Sequence, residues 1–156
     1  MAYSNKFGHI LLNTSNKSEA AVGYGTLYGD MAGGLSVLGD VYKTDVYRLA
    51  KLINREDEII PVNILTKPPS AELKPDQKDT DNLPDYETLD GILFACIEQQ
   101  RSADEIIRAG SGKEITHTII GMVNRNEYKR YQNPPILRIS SKAFGVGRRM
   151  PLVAKY

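Results

Sequence analysis

The sequence predicts an α/β chain, mostly helical, with one or two short strands. Ile10-Leu11-Leu12 is a short apolar run ending in polar residues, the pattern of a buried strand that runs into a turn. Several later segments repeat apolar residues at helical spacing, and clusters of Gly and Pro separate them. The chain has 156 residues, enough for one domain with a core. A lone strand cannot satisfy the N–H and C=O groups on its edges, so part of a sheet is expected to be missing or supplied by another chain.

After Ile10–Leu12, Asn16 is placed to cap a helix, with Glu19 three residues on as in a capping box. That helix is expected through Ala20, Ala21 and Val22. Gly23, Gly25 and Gly29 weaken it, and Gly33-Gly34 ends any regular run. In "YKTDVYRLAKLIN", Val46, Leu49, Ala50 and Ile53 form one apolar stripe, and the helix begins near Lys43 or Thr44. Pro61, Pro68, Pro69, Pro75 and Pro84 then exclude helix interiors over a long polar stretch, which reads as a functional lid or a disordered segment.

The helical period returns with Tyr86, Leu89, Ile92, Leu93, Cys96 and Ile97. Ser102 and Glu105 open a short helix that Gly110 stops. Ile115, Ile119, Met122 and Val123 predict another helix, running to about Tyr131 before Pro134-Pro135. "ILRIS" alternates as a short strand does, and the tail from Ser141 reads as irregular.

Composition excludes several classes of protein. With 41% hydrophobic and 25% charged residues the chain is an ordinary globular sequence. Its single cysteine, Cys96, permits no intrachain disulfide framework, which fits a cytoplasmic protein, and its helical face makes it a core residue. No apolar run is long enough to cross a membrane, and no signal peptide opens the chain. From Arg125 onward, eight Lys and Arg face Glu127 alone, a net +7 that leaves −6 on the first 124 residues of a chain with total charge +1. Such a basic end suits phosphorylated small molecules, an acidic partner or nucleic acid. No RNA-binding signature accompanies it, so nucleic acid is not the expected partner.

The chemistry-bearing candidates are polar residues near helix starts. Thr14, Ser15 and Glu19 follow the strand, where hydroxyls and free amides attract phosphate and a carboxylate can hold Mg²⁺. Equally, Asn16 and Glu19 can serve only as a cap. Lys43 can reach a phosphate as a point charge or be solvated, and Lys67 and Ser70 can close over a ligand or belong to a linker. Asp30 suits a turn, and Lys129 and Arg130 suit a helix C-terminus. His9 and His117 stand alone, outside any metal or nucleophile pattern.

Taken in order, "SNKFGHILLNTSNKSEAAVGYGTLYGDMAGGLSVLGDVYKTDVYRLAKLIN", "ILTKPPSAELKPDQKD", "VNRNEYKRYQNPP" and "FGVGRRMP" resemble the C-terminal part of NAD synthetase, in particular the bacterial glutamine-dependent form. The resemblance implies a fragment of an adenine-nucleotide alpha-hydrolase-like, Rossmann-like synthetase domain over residues 1–156. Such enzymes amidate deamido-NAD to NAD with ATP, through an adenylated intermediate, with Mg²⁺ at the phosphates and ammonia released from glutamine by a separate domain. By the family's pattern Thr14, Lys43 and Ser70 bind ATP, and Glu19 meets both Mg²⁺ and substrate. Tyr24 and Asp30 face deamido-NAD, with the stretch from Tyr24 to Leu27 lining that side. Lys129 belongs to a late E-[HY]-K-R motif and is the expected catalytic and substrate-binding lysine. Tyr128 stands where the short forms carry His, which agrees with the long form.

One family feature is missing: the pyrophosphate loop Ser-Gly-Gly-x-Asp-Ser, for no Ser-Gly-Gly occurs in the chain. The glutaminase domain is missing too. The expectation is therefore a C-terminal fragment, a homo-oligomer with exposed apolar faces, inactive without the upstream segments. The alternative is a non-catalytic nucleotide-binding or oligomerisation module.

Overall fold

The computed structural model describes residues 1–70 and 73–153. Its centre is a six-residue helix, α2 (Lys17–Val22), whose sequence carries its own start and stop. Asn16 accepts from the Glu19 amide at 3.0 Å, and Glu19 returns the bond to the Asn16 amide at 3.2 Å, completing the expected capping box. Gly23 ends the helix at φ 70°, and a Cβ there would lie 2.2 Å from the Asn126 side chain, so glycine is demanded twice over.

Ahead of α2 come α1 (Ala2–Phe7) and β1 (Leu12–Asn13). After it come β2 (Leu35–Ser36), α3 (Lys43–Ile53) and α4 (Val62–Thr66). A 3₁₀ turn at Asp79–Asp81 leads to α5 (Tyr86–Ile97), α6 (Ala103–Arg108), α7 (Lys113–Arg125) and α8 (Glu127–Arg130). β1 and β2 pair in parallel, Leu12 opposite Leu35 and Asn13 opposite Ser36, and Ser36 bridges on to Ile136. This is an α/β arrangement, mostly helical, with a narrow parallel sheet.

The core is helical. α5 buries Leu89, Ile92, Leu93 and Ile97 against Ile119 and Val123 of α7, Ala21 and Val22 of α2 and Ile106 of α6. The short helices are locally well started. Asp85 accepts from the Thr88 amide at 2.9 Å to cap α5, and Ser102 and Glu105 form the expected box at α6. From the irregular tail, Phe144 enters the same core.

Four expectations change. Ile10–Leu12 is not buried: Ile10 is 75% and Leu12 52% exposed, and the strand keeps only Leu12 and Asn13. Its buried residue is the polar Asn13, whose side chain donates to the Asp30 carbonyl at 2.7 Å and accepts from Ser36 Oγ at 3.0 Å. An edge strand in so narrow a sheet has one face to bury, and here hydrogen bonding chose it. The α3 stripe also fails as a core face, because only Ala50 is buried while Leu49 and Ile53 stay exposed. The helix expected to reach Tyr131 breaks at Asn126, whose side chain donates to the Val22 and Met122 carbonyls. "ILRIS" contributes one bridge rather than a strand.

The Pro-rich stretch, expected as lid or disorder, holds α4 and the 3₁₀ turn, with Pro61 just ahead of α4 where its missing N–H costs nothing. Its Ala71 and Glu72, like residues 154–156 of the tail, lie outside the described residues.

A buried ion cluster ties these parts together. Lys17, fully buried, donates to Asp40 at 2.7 Å, to Ser140 Oγ at 2.9 Å and to Glu98. Burial raises the Asp40 carboxyl, but the Lys17 ammonium and the Ser140 and Ile139 amides outweigh it and hold it below its usual range. A carboxylate lowered on folding contributes stability that is complete above its unfolded value near 3.8 and is lost as pH falls through the folded one. Lys17→Ala is expected to cost about 3–5 kcal/mol in urea unfolding at pH 7, because it strands two carboxylates in the interior. Lys17→Ala should also flatten the acid limb of the stability profile, since Asp40 then loses the partner that lowers it.

Candidate functional site

A cavity of about 600 Å³ opens beside the N-terminus of α2, and Thr14, Glu19, Tyr24, Asp30, Lys43 and Ser70 all line it. These are six of the seven positions nominated from sequence, drawn from stretches up to 56 residues apart. The seventh, Lys129, is placed elsewhere. Its ammonium donates to the Gly23 carbonyl at 2.7 Å and the Gly25 carbonyl at 2.9 Å, clipping the turn on which Tyr24 stands.

The electrostatic centre is the pair Lys43–Glu19, 3.2 Å apart and both about four-fifths buried. Glu19 divides its oxygens: Oε2 closes the capping box and Oε1 faces Lys43. The sequence left capping and site roles as alternatives; the cap is formed through Oε2, and Oε1 is left facing Lys43 on the cavity. The Lys43 ammonium also lies 5.4 Å from the Tyr86 ring centre and 6.0 Å from that of Tyr47. The pair is anchored from behind. Ser18 Oγ accepts from the Lys43 amide at 2.9 Å, and Asp90, held to the Ser18 hydroxyl, accepts from the Thr44 amide at 2.9 Å.

On the facing wall Asp79, buried in the 3₁₀ turn, accepts from the Tyr86 hydroxyl at 2.7 Å. Burial, then the charges of Asp79, Asp81 and Glu19, push the Tyr24 phenol up to about 12, so it stays protonated at neutral pH. Burial and the bond to Asp79 raise Tyr86 as well. Asp30 accepts from the Thr26 amide at 2.5 Å, which folds the Tyr24–Asp30 turn into the cavity wall. Asp79, Tyr86 and Tyr47 were not nominated from sequence. Asp79 is one of several acidic residues in a Pro-rich stretch, Tyr86 reads as a helix-face residue and Tyr47 lies off the α3 stripe; only the fold brings the two tyrosines to Lys43.

The arrangement can neutralise an anion at Lys43, with the Thr14 and Ser70 hydroxyls on the same cavity, and can place a carboxylate, Glu19, beside it. Among the described residues no three His, Cys, Asp or Glu converge on a metal position. A Mg²⁺ ion held by one carboxylate and by phosphate oxygens needs no such cage.

The fold and cavity define a class: an α/β protein in which a cation and a carboxylate face an open pocket at the end of a parallel strand. The chain belongs to the NAD synthase family, whose sequence profile matches residues 1–133. It is 54% identical to the glutamine-dependent NAD(+) synthetase of Synechocystis over 156 residues, all of this chain and 28% of that protein. With the protein of the same name from Acinetobacter baylyi it is 56% identical over 155 residues, 98% of this chain and 29% of that one. In fold it resembles a glutamine-dependent NAD(+) synthetase of Cytophaga hutchinsonii, with a TM-score of 0.67 at 22% identity, covering 98% of this chain and 26% of the other. The chain thus spans under a third of the length of these relatives.

Lys129→Ala is expected to lower stability by about 1–2 kcal/mol through the two lost charge-assisted bonds. It should also broaden the Tyr24 ring signals in NMR spectra, as the Gly23–Gly25 turn loosens. Unchanged Tyr24 signals would mean that the clip does not hold this wall.

Proposed function

We propose that residues 1–156 are the C-terminal part of the amidating domain of a glutamine-dependent NAD synthetase. In this reading the complete enzyme converts deamido-NAD to NAD with ATP, and adenylation of the nicotinate carboxylate precedes attack by ammonia. The observation that carries it is the convergence of Thr14, Glu19, Tyr24, Asp30, Lys43 and Ser70 on one cavity, the six positions that the family's pattern assigns to nucleotide and substrate. Lys43 meets phosphate as a point charge, and the hydroxyls of Thr14 and Ser70 add donors. Glu19 would hold Mg²⁺, which when bound would balance charge on the phosphates. Tyr24, protonated at neutral pH, offers its hydroxyl to deamido-NAD beside Asp30. Lys129 acts in this reading as the lysine of the late motif, reaching substrate from the turn it clips.

In this reading half of the ATP site belongs to the pyrophosphate loop upstream, so this chain alone is inactive and dependent on the upstream segments of the same enzyme, a cytoplasmic one. Ile10, Leu12, Leu137 and Ile139, exposed around the narrow sheet, support that dependence and self-association into a homo-oligomer.

The test is NAD formation by the purified chain given deamido-NAD, ATP, Mg²⁺ and ammonium. No turnover is expected, with activity restored when the chain is extended upstream through a Ser-Gly-Gly-x-Asp-Ser loop. Turnover by the chain alone would sink the fragment reading. Nucleotide binding without activity in the extended protein would favour a non-catalytic nucleotide-binding module.

A further inference from the structure

α3 begins without a cap of its own. The residue before it, Tyr42, makes no capping bond, and its ring packs in the core beside the Lys17 ammonium at 5.2 Å. An aromatic residue cannot supply the side-chain oxygen that the first free amides of a helix require. Those amides are met from other helices: Lys43 N–H by Ser18 of α2, Thr44 N–H by Asp90 of α5, each at 2.9 Å. Ser18 and Asp90 are both buried and bonded to each other.

Asp90 and Tyr86 lie four residues apart on α5, hence on one face. Asp90 serves the backbone at the start of α3, while the Tyr86 ring flanks the ammonium of Lys43. One face of α5 therefore holds the start of α3, directly at Thr44 and through Ser18 at Lys43, and also flanks the Lys43 ammonium, a bracket that no local sequence around Lys43 supplies. A buried carboxylate is an expensive cap. Burial pushes the Asp90 carboxyl up despite the Ser18 and Thr44 bonds, and an exposed Ser or Asp at position 42 would cap α3 more cheaply. The costly arrangement gains one thing a local cap does not: it fixes the root of Lys43 to the helix that carries Tyr86.

We infer that Asp90, with Ser18, is a positioning residue that sets Lys43 in register with the anion-binding cavity. The inference rests on reading Lys43 as the phosphate-binding lysine. Asp90 does not line the cavity, so its effect on a ligand must pass through Lys43.

The experiment uses the 156-residue chain labelled with [¹³C]lysine, with ADP as probe. Two readouts are taken, the Lys43 Hε shift and the ADP affinity from calorimetry. Tyr86 ring current should displace the Lys43 Hε signal in the wild type, and Asp90→Ala should return it towards the free-lysine position. Asp90→Ala should weaken ADP binding by about five- to tenfold, the size of a lost cap. In a Lys43→Ala background the same change should have no further effect, the signature of coupling rather than general destabilisation. Asp90→Asn, which keeps one acceptor, should give a smaller shift and serves as the variant of record if Asp90→Ala does not fold.

A Lys43 signal unmoved in the folded variants overturns the inference. So does an equal loss of ADP affinity with and without Lys43. If the wild-type chain does not bind ADP, the half-site alone is too weak to hold nucleotide, and the Lys43 signal by itself decides whether Asp90 positions it.

Discussion

The buried ammonium of Lys17 is the constraint on which the rest of this structure depends. An ion withdrawn from water costs several kcal/mol unless it is surrounded by partners, and its partners must then be brought to it. Here they come from three parts of the chain: Asp40 and the Tyr42 ring ahead of α3, Glu98 just after α5, and Ser140 and the Phe144 ring in the C-terminal segment. Meeting Lys17 therefore fixes where α3 begins, where α5 ends and how the segment after Ile136 lies along the sheet. Asp40 extends the effect by accepting from the amides of Ile139 and Ser140, at 2.8 and 2.6 Å.

α2 concentrates this organisation in a few consecutive residues. Asn16 caps, Lys17 anchors the core, Ser18 receives α3 and Glu19 faces the cavity. Burial of the first three leaves Glu19 no freedom to drift. At the other end Arg130, paired with Glu127, donates to the Ala20 and Ala21 carbonyls, at 3.2 and 2.6 Å, and stacks 4.8 Å from the Phe144 ring. A helix of six residues is too short to be stable by itself, and these charged contacts at both ends replace the length it lacks.

The same economy explains the exposed apolar residues. The sheet has two strands and a bridge, and its outward face carries Leu12 without a covering layer. Beside glutamine-dependent relatives more than three times as long, such a face fits the proposal that this chain is a piece of a larger synthetase. Cys96 is unremarkable beside it: half-buried, it packs against the core on the α5 face its helical spacing foretold, and that burial raises the thiol.

What the sequence by itself determined was local. The capping boxes at Asn16 and Ser102, the stop at Gly23, the α5 core face and the nomination of Thr14, Glu19 and Lys43 all rest on residue type and short spacing, whose physics acts within a turn or two. The ordered strings that resemble the NAD synthetases were legible for the same reason. Tertiary structure decided the rest. Which face of α3 is buried, why Asn13 rather than Leu12 points inward, and where Lys129 sends its ammonium depend on partners dozens of residues away. So does the placing of Tyr86 beside Lys43, of Asp79 on the Tyr86 hydroxyl and of Asp90 on the Thr44 amide. Periodicity reports that a face is apolar, but only packing supplies the surface that covers it. The cost of burying a charge such as Lys17 is likewise settled only when every partner has arrived.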